Sequence, residues 1–164
     1  MIDAENKSKR GITLRFSEKG TSMMEILITV AILAVLASLG FTSYKELKAR
    51  YDLYSTASRI YGDMEWCRQK SMGSPHGYGL YFTSKSYKVF KDMNDNGRFD
   101  SGTDTEFKDT SFNHITLSGY PAGGYVYNRR GSPKKINSLF TLTLRDHYGH
   151  TKQIVVSLFK TRMK

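Results

Sequence analysis

The densest run of chemistry-bearing side chains is Asp92-Met93-Asn94-Asp95-Asn96-Gly97-Arg98-Phe99-Asp100. Asp92, Asn94, Asn96 and Asp100 supply oxygens at positions 1, 3, 5 and 9 of an EF-hand-type calcium loop, and Gly97 stands at its position 6. Calcium takes six to eight oxygens, and at position 12, where such loops carry a bidentate Glu, this sequence has Thr103 followed by Asp104. Calcium is therefore one expectation, with water or a backbone carbonyl completing the shell. The other is an Asn96-Gly97 hairpin turn whose acids are solvated.

The second concentration is of charge. The formal net charge is +10. Residues 1–20 carry 5 basic and 3 acidic groups, residues 21–128 carry 11 of each, and residues 129–164 carry 9 basic and 1 acidic. The excess is local, not a general bias. Arg129, Arg130, Lys134 and Lys135 share one loop, and Lys160, Arg162 and Lys164 lie in the last five residues. Folded to one side, they would form a cationic surface. DNA would bind such a surface with steep salt dependence, because phosphate contacts release counterions. The alternative is pairing with acidic patches on protein partners.

Enzymatic motifs are missing. His76, His114, His147 and His150 are scattered over turns and strand ends, and no HExxH, GxSxG, P-loop or CxxC occurs. Asp146, His147 and His150 are close in sequence, but a solvated turn accounts for them. Cys67 stands alone and cannot staple the fold. The chain reads as a structural subunit without a certain cofactor.

Two kinds of element must position these residues. From Tyr78 onward the pattern has period 2, with candidate strands 78–83, 87–91, 114–118, 125–128, 139–145 and 153–159. Glycine- and asparagine-rich turns separate them, and no helix intervenes, so an antiparallel sheet is expected. Before it, Leu53, Ala57, Ile60, Met64, Cys67 and Ser71 recur at helical spacing. Arg50, Asp52, Arg59, Asp63 and Arg68 mark the opposite face, and Gly73-Ser74-Pro75 ends the helix. Cys67 lies on the apolar stripe and reads as a small buried hydrophobe.

That helix begins earlier still. Met23 to Phe41 is nineteen residues with one charge, Glu25. At about 1.5 Å per residue the run is roughly 28 Å long, the thickness of a bilayer core. Lys7, Lys9, Arg10, Arg15 and Lys19 precede it. A secretory signal would be shorter and would end in a cleavage site. A plain anchor leaves Gly20, at the polar–apolar boundary, and Glu25, a costly charge inside the run, without a purpose.

The stretch Lys19-Gly20-Thr21-Ser22-Met23-Met24-Glu25-Ile26-Leu27-Ile28 resembles the class III prepilin signal of type IV pilins and type II secretion pseudopilins. The resemblance implies cleavage after Gly20 by a membrane prepilin peptidase. Thr21 would become the first residue and the site of N-methylation, though the family usually has Phe there. Glu25 would become the fifth residue, with an assembly role. The new α-amine, with a reference pKa near ~8, would be mostly cationic at neutral pH and could neutralise a neighbour's Glu25 among packed apolar helices. The family often has Pro where Thr42 stands; without it the helix has no reason to kink there.

The Tyr87-Lys88-Val89-Phe90 strand leading into Asp92-x-Asn94-x-Asn96-Gly97 is similar to the H-type minor pseudopilins, the GspH/FimT group. That resemblance implies a two-sheet head after the helix and a late basic hairpin. The expected architecture is α+β: a leader over 1–20, a transmembrane half-helix over 21–44, an amphipathic half over 45–75 and a β-rich head over 76–164. The implied function is a minor pseudopilin of a type II secretion filament. The alternative is a minor pilin of a type IV pilus or DNA-uptake filament. The implied location is single-pass in a bacterial inner membrane with the head in the periplasm. Implied partners are other pilin or pseudopilin subunits.

Overall fold

A computed structural model describes residues 22–135, 139–157 and 161–164. Helix α1 runs Met23–Ser71. Eight strands follow: β1 Gly77–Phe82, β2 Ser86–Asp92, β3 Thr105–Ser111, β4 Ile115–Ser118, β5 Tyr125–Tyr127, β6 Phe140–Asp146, β7 Thr151–Val156 and β8 Thr161–Met163. The chain divides into two compact units at Phe41/Thr42.

In the first unit, α1 opens at Ser22, whose carbonyl accepts the Glu25 amide at 2.9 Å. Glu25 lies in the first turn, where a negative charge meets the positive end of the helix dipole. The apolar stretch is long enough to cross a membrane, and none of it is buried. Large apolar side chains such as Leu27, Ile32, Leu33 and Phe41 are exposed.

The second unit holds the head. The residue pattern alone called for an antiparallel sheet. There are two, with strand orders β3-β2-β1-β5 and β4-β6-β7-β8, and all pairings are antiparallel. Leu53, Ala57, Ile60, Met64 and Cys67 form one core with Leu80, Phe82, Tyr87 and Tyr125 of the first sheet and Leu117, Leu142, Leu144 and Ile154 of the second. Each large aliphatic side chain removed from water adds about 1.5–3 kcal/mol. The helix stripe is thus shared by both sheets.

A buried hydroxyl ties the helix to β1, and a glycine lets β5 close on it. Ser71 is buried; its hydroxyl donates to the Cys67 carbonyl and accepts the Tyr78 amide, both at 2.9 Å. A Cβ on Gly79 would come within 2.3 Å of the Tyr125 carbonyl, so only glycine lets β5 lie this close to β1.

Strands β3 and β8 escape the period-2 reading for physical reasons. Both are edge strands. β3 reads TEFKDTS and is mostly exposed, so no apolar alternation marks it, and β8 has only three residues. The register between β2 and β3 shifts at Val89/Phe90, which leaves Phe107 without a partner. This bulge turns Phe107 and its neighbour Lys108 to one side, where they line one cavity with Asp63 and Trp66.

Candidate functional site

The calcium-type loop folds around Asp92, a fully buried acid at the end of β2. Asp92 Oδ1 accepts the Asn96 amide at 3.1 Å and Oδ2 accepts the Gly97 amide at 2.7 Å. Gly97 has φ 75°, the left-handed turn conformation that glycine adopts without strain. Lys134 reaches in from the β5–β6 loop and places its ammonium 2.9 Å from Asp92 Oδ2 and 2.5 Å from Asp95 Oδ1. Burial works against that ammonium, yet its hydrogen bonds to Asp95 and Asp92 prevail and raise its pKa.

The remaining oxygens are also engaged. Asp100 Oδ2 accepts Asn94 Nδ2 at 2.8 Å and also the Asn96 side-chain amide. Asp104 accepts the Met93 amide at 3.0 Å and the Asp100 amide at 2.7 Å. A calcium ion would have to displace Lys134 and turn both Asn side chains. Among the described residues no group of three or more His, Cys, Asp or Glu is arranged to hold a metal. The donor set as it stands does not fit calcium: the loop's cation is Lys134.

The basic residues divide accordingly. Lys134 serves the loop just described. Arg129 donates to the Pro75 carbonyl at 3.0 Å, while Arg130 is exposed and lines a cavity with Arg129 and Lys134. Asn128 Oδ1 organises their turn by accepting the Arg130 and Ser132 amides at 2.9 and 3.2 Å. Lys135 follows in the same loop. Arg162 is exposed on β8, and Lys164 pairs its backbone with Gln153. Gly20, Thr21 and Lys160 lie outside the described residues.

Other polar residues gain partners that the sequence does not announce. Asp63, read as a solvent-face residue, accepts Tyr87 Oη at 2.5 Å and Lys108 Nζ at 2.6 Å. Burial, and then the bond to Asp63, push the Tyr87 phenol up. Trp66, Tyr78 and Phe107 form an aromatic trio with centroids 5.9–6.0 Å apart. Cys67 is fully buried, and burial pushes its thiol far up, so it is chemically quiet.

The arrangement hardest to foresee gathers histidines from separate elements. His114 on the β3–β4 connection and His147 on the β6–β7 turn bring their rings to 5.4 Å. His150 lies with Nδ1 2.8 Å from Asp146 Oδ2 and Nε2 3.3 Å from Glu46 Oε1 on α1. Burial would raise the Asp146 carboxyl, but the His150 side chain and the His150 and Tyr148 amides outweigh it and hold the group below its ordinary value. Beside this network, Lys45, Lys48 and Asp52 of α1 help line a cavity of about 380 Å³. The single-sequence signal was no more than Asp146-His147 near His150; Glu46, Lys45 and Lys48 lie about a hundred residues away in sequence.

Comparison with profiles of known protein families, with characterised proteins and with solved structures found no match to this chain.

Proposed function

We propose that the chain is a type IV pilin-like subunit, a minor pseudopilin of a type II secretion filament. In this reading a prepilin peptidase removes residues 1–20, the apolar half of α1 anchors the subunit in the inner membrane, and the head lies in the periplasm. One observation carries the reading. A single helix, α1, joins an exposed apolar stretch bearing one carboxylate, Glu25, to a stripe that is the shared core of two antiparallel sheets. An ordinary anchor has no use for Glu25. A filament does, because the carboxylate neutralises a neighbour's new α-amine where both would otherwise be buried alone.

Intact mass of membrane-extracted protein tests the reading. Thr21 is the expected first residue, and a mature chain that retains Met1 would defeat the proposal. Glu25→Val is expected to insert normally and to fail in co-assembly with other subunits; normal incorporation removes the charge-pairing role.

The basic surface favours a second reading, a minor pilin of a DNA-uptake filament. Arg129 and Arg130 border one cavity, and Arg162 is exposed on the edge strand β8. Duplex binding that weakens with salt and falls on Arg130→Ala or Arg162→Ala would favour it over secretion.

A further inference from the structure

We infer that the cavity between Lys48 of α1 and the His114–His147 pair is a binding site for the phosphate of an anionic phospholipid headgroup. The inference rests on the anchor reading above. Lys45 and Lys48 follow Phe41, the end of the apolar stretch, by four and seven residues. In an anchored chain they lie at headgroup depth, where long cationic side chains extend toward phosphates. Tyr44 and Tyr51 are 63% and 70% exposed, an unusual display unless their rings sit at a membrane interface.

The cavity's shape and charge suit the ligand. Its volume, about 380 Å³, admits a glycerophosphate group. The Phe112 and Tyr148 rings supply an apolar wall. Acids on the packed elements are mostly engaged already. Asp146 is held by His150 and by two backbone amides, and Glu46 pairs with Arg50 at 2.7 Å as well as facing His150. Asp52 and Asp146 both line the cavity, and Asp52 is the one that His150 does not engage. His114 and His147 line the same cavity with their rings 5.4 Å apart, and their ring N–H groups can donate to a phosphate.

The test uses the full chain in detergent, with dioctanoyl phosphatidylglycerol as ligand, dioctanoyl phosphatidylcholine as control and glycerol 3-phosphate as the phosphate without acyl chains. Phosphatidylglycerol is expected to bind in preference to phosphatidylcholine. Lys48→Ala is expected to weaken it about fivefold, the worth of one cation near an anionic surface. His114→Ala with His147→Ala should weaken binding, and Asp52→Asn should tighten it. Equal binding of the two lipids, or indifference to Lys48→Ala, overturns the site. Glycerol 3-phosphate binding as tightly as the lipid overturns the lipid assignment in favour of a free phosphate. Alkaline carbonate extraction separates the two failures. If carbonate releases the chain, the anchor and the lipid assignment fall together; if the chain stays embedded and selectivity is missing, the site alone falls.

Discussion

The 92–104 loop and the cavity beside Lys48 are both rich in charge, and they use it in opposite ways. In the loop the acids are tied to the loop itself: Asp92 is fully buried and holds two amides and Lys134, the exposed Asp95 shares Lys134, and Asp104 and Asp100 hold neighbouring amides. Around the cavity Asp146 and Glu46 are engaged by His150 and Arg50, while Lys48, His114 and His147 line the open space with Asp52. A ligand-like spacing in the sequence therefore marks the closed region, and the region open to a ligand has no spacing at all.

Breaking the loop should have the largest effect. Asp92→Ala removes the acceptor for two backbone amides and one of the two partners of Lys134, and each buried donor left without a partner costs about 1–3 kcal/mol. Urea unfolding of the detergent-solubilised chain, followed by near-ultraviolet circular dichroism, measures it. A cost near that of an exposed pair would mean that the loop is solvated after all.

Lys134→Met sharpens the same contrast at a smaller cost, about 1.5–3 kcal/mol, because it removes the charged hydrogen bonds to Asp92 and Asp95 while two backbone amides still hold Asp92. Millimolar calcium should leave the melting temperature of the unmodified chain unchanged. In the Lys134→Met chain it should raise it, since a cation that binds only the folded state stabilises by mass action. A calcium shift in the unmodified chain would show that the ion outcompetes Lys134.

The smallest effect is expected on the cavity side. Asp146 has a carboxyl held below its ordinary value of 3.8. A folded-state value below the unfolded one adds stability that is complete above the ordinary value and is lost as pH falls through the lowered one. Asp146→Asn should therefore cost about 1 kcal/mol at neutral pH, and the gap to the unmodified chain should close below about pH 4. Thermal melts at pH 7, 5 and 3 check the sign; a gap that widens on acidification contradicts it.

Much of the fold was legible from periodicity. Leu53, Ala57, Ile60, Met64, Cys67 and Ser71 are buried at 2% exposure or less, and six of the eight strands coincide with period-2 segments. Such patterns are readable because burial repeats with the geometry of the element. β3 was not, because its bulged, exposed edge buries no regular face. The Asn96-Gly97 turn was legible as a turn, but its closure was not, since Lys134 lies 42 residues from Asp92.

The sequence by itself therefore determined the apolar stretch, the position of Glu25 within it, the core stripe and the local turn chemistry. Each is set by neighbours within a few residues, through helical or strand spacing. Only the tertiary structure decided how the head splits into two sheets, that Lys134 neutralises Asp92, that Asp63 joins Tyr87 and Lys108, and that Lys48 lines one cavity with His114 and His147. These pairings cross long stretches of chain. Which charges meet depends on strand order and register, and no local spacing encodes either.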